Sequence, residues 1–189
     1  MADYRFFGGS TGVEVDLSIQ GSGNSQNTVA QGTDTLIDIE SVRGSFNDDV
    51  LSGNSGDNYL RGEAGDDIID LVDGGQDIVR YDIGSDGNDT IRNFQGDTDG
   101  SHNDTFGNSG GSLTGGADIL EFSGVNDFTS LANEIDSIEF NANGSDYTNE
   151  GFTGGPDLQV DVTATFDSGG SIVFQDLLKE GDDLSGLPN

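Results

Sequence analysis

Aliphatic residues recur every nine positions in the middle of the chain, at Leu51, Leu60 and Ile69. Each is the eighth residue of a nine-residue unit that opens with a glycine: GSFNDDVLS (44–52), GNSGDNYLR (53–61) and GEAGDDIID (62–70). A period of nine leaves room for one tight turn and one short strand. Because a single unit of this size cannot bury an apolar face alone, the pattern predicts that consecutive units stack on one another.

The series extends in both directions. Val42 lies nine residues before Leu51, which predicts that the aliphatic series starts one unit earlier. Asp77 follows Asp67 by ten residues, which predicts one inserted residue near Leu71. The segments DGGQDIVRY, GSDGNDTIRNF and GGADILEF then keep the same internal spacing of glycine, aspartate and aliphatic residue.

The flanking segments have other periods. Alternating Val13, Val15 and Leu17 predict a strand before the repeats. After residue 122, LQVDVTATF and SIVFQDL around the turn DSGG predict a β-hairpin. A short helix is predicted in NDFTSLANEIDSIEF, with Asn126 or Asp127 as N-cap and one apolar face formed by Phe128, Leu131, Ile135 and Ile138. We therefore expect two regions, a repeat region at 1–122 with a surface loop at 95–114, and a C-terminal cap at 123–189.

Charge and composition narrow the possible functions. The 189 residues carry 36 acidic and six basic side chains, a net charge of −30. Self-repulsion of this size opposes folding unless cations offset it, and it argues against a nucleic-acid partner. Since there is no cysteine, disulfides and thiolate catalysis are excluded. No apolar run is long enough to predict a membrane span, and the single histidine, His102, is predicted to lie in a solvated loop.

The sixth position of each unit carries a side chain with hard oxygen atoms: Asp49, Asn58 and Asp67. Carboxylate and carbonyl oxygens are the ligands that calcium prefers, and glycine allows a turn to aim its carbonyls at an ion. The same residues could instead form hydrogen-bonded turns, with the aspartates capping backbone amides. Spacing alone leaves both interpretations open.

The units resemble the GGxGxDxUx nonapeptide of the RTX (repeats-in-toxin, haemolysin-type) proteins. The match covers the first, sixth and eighth positions, whereas the second glycine is replaced by Ser45, Asn54 and Glu63. The resemblance implies an all-β fold: a right-handed parallel β-roll, a calcium-binding solenoid with a C-terminal cap containing a short helix and a hairpin. It also implies several calcium ions, each held between one unit and the second unit after it.

Carried over residue by residue, the resemblance implies four metal sites built from backbone carbonyls and acidic or amide side chains. The first would use Ser45, Asn47, Asp49, Gly62, Ala64 and Asp67. The second would use Asn54, Gly56, Asn58, Val72, Gly74 and Asp77. The third would use Glu63, Gly65, Asp67, Asp86 and Asp89. The fourth would pair Glu40 with Gly53, Ser55 and Asn58.

The resemblance implies a calcium-binding, calcium-folded and non-catalytic module of a bacterial protein exported by type I secretion machinery, and hence an extracellular location. An alternative is a polysaccharide-binding or adhesin module attached to an extracellular enzyme such as an alginate epimerase or a metalloprotease. The motifs H-E-x-x-H and G-x-S-x-G are both missing from the chain. We therefore expect no catalytic site here.

Overall fold

Two β-sheets enclose one hydrophobic core in the structure, a computed structural model. It describes residues 1–6, 9–29, 32–72, 74–95, 106–107, 118–123, 128–142 and 159–179. One sheet has six strands, and all neighbours in it are parallel. The second has seven strands, and two further strands form a separate antiparallel pair.

The strands are short at the N-terminus and longer towards the C-terminus. The first eight are β1 (Ala2–Asp3), β2 (Glu14–Asp16), β3 (Gln26–Asn27), β4 (Thr33–Asp34), β5 (Ser41–Arg43), β6 (Val50–Ser52), β7 (Tyr59–Arg61) and β8 (Ile68–Asp70). The remaining seven are β9 (Ile78–Asp82), β10 (Asn88–Arg92), β11 (Phe106–Gly107), β12 (Ile119–Ser123), β13 (Ile135–Ala142), β14 (Gln159–Phe166) and β15 (Ser171–Lys179). Among the described residues one helix, α1, spans Phe128–Glu134. The six-stranded sheet has the order β1-β5-β7-β9-β12-β11, the seven-stranded sheet the order β13-β14-β15-β10-β8-β6-β2, and β3 pairs with β4.

Consecutive nine-residue units alternate between the two sheets. Val42 of β5 is in register with Leu60 of β7, and Leu51 of β6 with Ile69 of β8. Every unit therefore pairs with the second unit after it. The middle residue of each of these three-residue strands points into the core, and all four are at most 1% exposed. The predicted series of aliphatic residues is confirmed as the centre of the core.

The inserted residue predicted near Leu71 is absorbed in a turn. Leu60 pairs with Val79, one residue more than the spacing of the preceding pairs. A Cβ atom added to Gly53 would lie 3.1 Å from the carbonyl oxygen of Leu71, so Leu71 occupies the first position of its unit. Val72 therefore stands in the second position rather than the first, and the extra residue falls between Val72 and Gly75.

Aromatic side chains close the core where the repeats end. Tyr81 of β9 and Phe122 of β12 come from the six-stranded sheet, whereas Phe166 belongs to β14 of the other sheet. The ring centroids of Tyr81 and Phe166 are 5.4 Å apart, and those of Phe122 and Phe166 are 5.8 Å apart. Rings of this size bury more area than one aliphatic side chain per strand, so the two sheets are joined firmly at this end.

The predicted fold, a single right-handed parallel β-roll with a separate cap, is wrong. The seven-stranded sheet is mixed, because β15 pairs in parallel with β10 and antiparallel with β14, which pairs antiparallel with β13. These last strands have eight or nine residues and a period of two. The tight turn at 167–170 joins β14 to β15, and so short a connection is possible only between antiparallel neighbours.

Among the other predictions for the C-terminal part, some are confirmed and some are wrong. The hairpin is confirmed as β14 and β15. The helix ends at Glu134, so the prediction that Ile135 and Ile138 lie on its apolar face is wrong; both lie on β13. Within the predicted surface loop, Phe106–Gly107 forms β11 beside β12. The proposed N-caps Asn126 and Asp127, and His102, lie outside the described residues.

Neighbouring turns approach each other so closely that only glycine fits. Gly87 has φ +98°, and a Cβ atom on it would lie 2.0 Å from the carbonyl oxygen of Gly65. Gly23 has a similar φ, +96°, but no atom lies within 4 Å of its Cβ position. A comparison of substitutions at Gly87 and Gly23 therefore separates the effect of backbone conformation from that of turn stacking.

We expect Gly87→Ala to destabilise the protein more than Gly23→Ala. Both substitutions force alanine into the left-handed region, at about 1–2 kcal/mol, but only the first drives two turns apart. Urea unfolding of both variants and the wild type in the same buffer measures the difference. Equal loss of stability would mean that the turns do not need this close approach.

Candidate cation site

The side chains at the sixth positions form two ladders along the stack, one at each edge where the chain turns. The first ladder consists of Asp49, Asp67 and Asp89, and the second of Asn58, Asp77 and Asp118. Their residues are all at most 3% exposed. Each ladder is joined by bonds from the backbone amide of one member to Oδ1 of the next, at 2.8–3.1 Å: Asp49 to Asp67, Asp67 to Asp89, Asn58 to Asp77, and Asp77 to Asp118.

In some turns a second backbone amide caps the sixth-position side chain. It donates to the other carboxylate oxygen of an aspartate, or to the side-chain oxygen of an asparagine. The amide of Ser45 donates to Asp49 Oδ2 at 2.6 Å, and the amide of Asn54 donates to Asn58 Oδ1 at 2.7 Å. Asp49 Oδ1 additionally accepts from the amide of Val13 at 2.7 Å. These turns match the hydrogen-bonded alternative that the sequence left open.

Two carboxylates of the ladders have a fully buried oxygen that lacks this cap. Asp67 Oδ2 and Asp77 Oδ2 are buried and accept no hydrogen bond, and both residues are 1% exposed. The residues that would supply the capping amide, Glu63 and Val72, have φ values of +77° and +57°. Because a left-handed residue turns its amide elsewhere, these turns leave one aspartate oxygen without a donor.

Both uncapped carboxylates have raised pKa values. Burial, followed by the charges of Asp89 and Asp49, raises the pKa of Asp67 to about 9. Burial, followed by the charges of Asp118 and Asp57, raises the pKa of Asp77 to about 7. A buried carboxylate with a raised pKa is stabilised by a proton or by a cation placed beside it.

Two glycines leave bare backbone beside the uncapped oxygen of Asp67. A Cβ atom on Gly62 would lie 1.9 Å from Asp67 Oδ2, and a Cβ atom on Gly44 would lie 2.4 Å from the carbonyl oxygen of Gly62. The unpaired oxygen and the side-chain-free backbone around it fit a cation held by oxygen atoms. In the part of the chain that the structure describes, no three His, Cys, Asp or Glu side chains are grouped to hold a metal ion. Backbone carbonyls would have to complete its ligand shell.

The structure places members of the first three predicted sites in neighbouring turns. In the first, the amide of Asp49 donates to Asp67 Oδ1, and half-buried Ala64 lies in the turn before Asp67. In the second, the amide of Asn58 donates to Asp77 Oδ1, whereas Gly74 lies beside exposed Ser55 and Gly56 beside Gly75, and neither Ser55 nor Gly75 belongs to that predicted site. In the third, Asp86 is occupied differently, because its Oδ2 accepts from the amide of Asp82 at 2.6 Å.

The fourth predicted site is filled by hydrogen bonds. Glu40 is exposed, and its Oε2 accepts from Asn58 Nδ2 at 3.0 Å and from Asn54 Nδ2 at 3.4 Å. Asn58 thus uses its amide group to continue the second ladder. A neutral amide in the sixth position supplies its own donor where an aspartate would leave an anion.

A third set of side chains escaped the sequence analysis. The fifth-position residues form exposed ladders in which the later unit donates: the amide of Asp66 to Asp48 Oδ1 at 2.9 Å, that of Asn88 to Asp66 Oδ1 at 3.0 Å, and that of Gln76 to Asp57 Oδ1 at 2.8 Å. The sixth-position ladders run in the opposite direction. The doublets Asp48-Asp49 and Asp66-Asp67 were the available signal.

The sequence matches no family model and no curated protein. Among the described residues there is also no helix with the length and apolar character needed to cross a membrane.

We expect the cation-free protein to lose stability as pH rises. The folded pKa values of Asp67 and Asp77, about 9 and about 7, lie above the ordinary 3.8. Their contribution is fully present below the unfolded value and is lost as pH rises through the folded values. Urea midpoints in chelator should fall between about pH 5 and pH 9, and Asp67→Asn, which cannot ionise, should make the slope shallower. Stability that rises over this range would contradict the assignment.

Proposed function

We propose that the protein is a calcium-binding, calcium-folded module without catalytic activity. The observation that supports this function best is the pair of buried, uncapped oxygen atoms, Asp67 Oδ2 and Asp77 Oδ2. One lies in each ladder, so each edge of the stack has a buried carboxylate oxygen that accepts no hydrogen bond. We infer that these two carboxylates are the principal calcium ligands, and that Asp49 and Asn58 mainly cap their turns.

The choice of calcium follows from the donor atoms. The candidate ligands are carboxylate and carbonyl oxygens on turns, and calcium accepts six to eight oxygens in flexible geometry. Magnesium requires a near-octahedral shell and gives up its waters reluctantly. The described residues around Asp67 and Asp77 provide no nitrogen or sulfur ligand that would favour a transition metal.

Calcium would also link folding to location. Extracellular calcium modules bind with dissociation constants of roughly 0.1–1 mM. At ten times the dissociation constant, each independent site stabilises the fold by about 1.4 kcal/mol, a sizeable part of the total stability of a small domain. In a calcium-poor cytosol this contribution is lost. The module would then remain unfolded until it is exported, as the RTX resemblance implies for a type I secreted protein.

We expect calcium to induce or stabilise β structure, and Asp67→Asn to raise the calcium midpoint severalfold because it removes an uncapped anionic ligand. Circular dichroism and isothermal calorimetry of the full chain measure both effects. The matched control is Asp136→Asn, which removes the same charge from an exposed position on β13.

Three results would contradict the proposed function. The first is a chelator-treated protein with unchanged β structure and stability. The second is magnesium acting as well as calcium at equal concentration, which would indicate charge screening. The third is an equal shift of the calcium midpoint in Asp67→Asn and Asp136→Asn.

A further inference from the structure

Four of the six basic residues of this chain lie on the six-stranded sheet or directly beside it. Arg43, Arg61 and Arg80 lie on the neighbouring strands β5, β7 and β9, with Arg43 in direct register with Arg61. Acidic side chains alternate with them: Glu63 pairs with Arg43 and Arg61, Asp82 pairs with Arg61 and Arg80, and Glu121 lies 3.9 Å from Arg80. We call this series the arginine row.

Glu63 joins the arginine row to the first ladder. Its side chain is 8% exposed, Arg43 Nε donates to its Oε1, and Arg61 Nε lies 3.1 Å from the same oxygen. Its backbone is left-handed, with φ +77°. A non-glycine residue in this region is destabilised by the close approach of its Cβ to the backbone, so something must hold it there.

The corresponding residue of an earlier unit shows the other state of this turn. Ser45 is not left-handed, and its amide caps Asp49 Oδ2 at 2.6 Å. If residue 63 relaxed in the same way, its amide would cap Asp67 Oδ2, and the uncapped oxygen would be lost. The backbone of residue 63 therefore decides whether the Asp67 turn is open or closed to a cation.

We propose that Glu63 is a positioning residue, anchored by Arg43 and Arg61, that holds its own backbone left-handed and so keeps Asp67 Oδ2 open for calcium. This inference rests on the proposed function. Val72 reaches a left-handed φ by another route, in a turn with one extra residue and two left-handed glycines, Gly74 and Gly75. The Asp77 site therefore does not depend on the arginine row and serves as an internal reference.

The test compares calcium binding of the full-length wild type with Glu63→Ala and Glu63→Gly. Alanine removes the ion pairs but keeps the left-handed cost, so calcium affinity at one site should fall about fivefold or more, while the second site is unchanged. Glycine removes the same ion pairs but adopts positive φ freely, so it should bind within about twofold of wild type. Arg92→Ala, which removes an arginine outside the row that donates to Gln175 Oε1 at 2.8 Å, should leave both affinities unchanged.

Calorimetry resolves the outcomes, and urea midpoints at saturating calcium check folding. Loss with alanine and recovery with glycine support the positioning role. Unchanged binding in Glu63→Ala, or equal loss in both Glu63 variants, overturns it and leaves the proposed function standing. A wild type that binds no calcium, or an Asp67→Asn variant that binds as the wild type does, overturns the proposed function itself.

Discussion

The structure depends on how each tight turn satisfies the polar groups that it buries. A nine-residue unit contributes one inward aliphatic side chain, such as Leu60 or Ile69, and the rest of its length is turn. So thin a core cannot hold the units in place by apolar contact alone. The sixth-position side chain supplies the additional contacts. It lies inside the turn and accepts a hydrogen bond from a backbone amide of the unit stacked against it. The units therefore cannot stack without burying these anionic side chains.

Opposed hydrogen-bond directions make this arrangement specific. Asp49 donates its amide forward to Asp67, whereas Asp66 donates its amide back to Asp48. A turn shifted by one residue would lose both sets of bonds at once, so adjacent aspartates define the register more strictly than the aliphatic residues do. The turns then differ in the second-position amide. The amide of Ser45 donates to the carboxylate of its own turn, whereas the amide of Glu63 does not donate to Asp67 Oδ2.

Periodic features of the structure could be predicted from the sequence. The buried aliphatic series from Val42 to Ile69, the sixth-position side chains and the inserted residue after Leu71 all follow from spacing. Features that depend on distant contacts could not be predicted. Nothing in the local pattern of SIVFQDL indicates that β15 pairs with β10, about eighty residues earlier. Left-handed Glu63 was equally hidden, since propensity reserves that conformation for glycine and asparagine, and its ion pairs come from other units.

The alternation of units between the two sheets imposes an even-number rule on changes in length. Each strand pairs with the second unit after it, so adding or deleting one unit would move every later strand to the opposite sheet. Tyr81, Phe122 and Phe166 would then change sides together, whereas the pairings that span the insertion, such as Leu60 of β7 with Val79 of β9, would be replaced. Adding two units, eighteen residues, would preserve every later pairing and simply lengthen both ladders by one step. Natural or engineered variants of this chain should therefore grow and shrink in pairs of repeats.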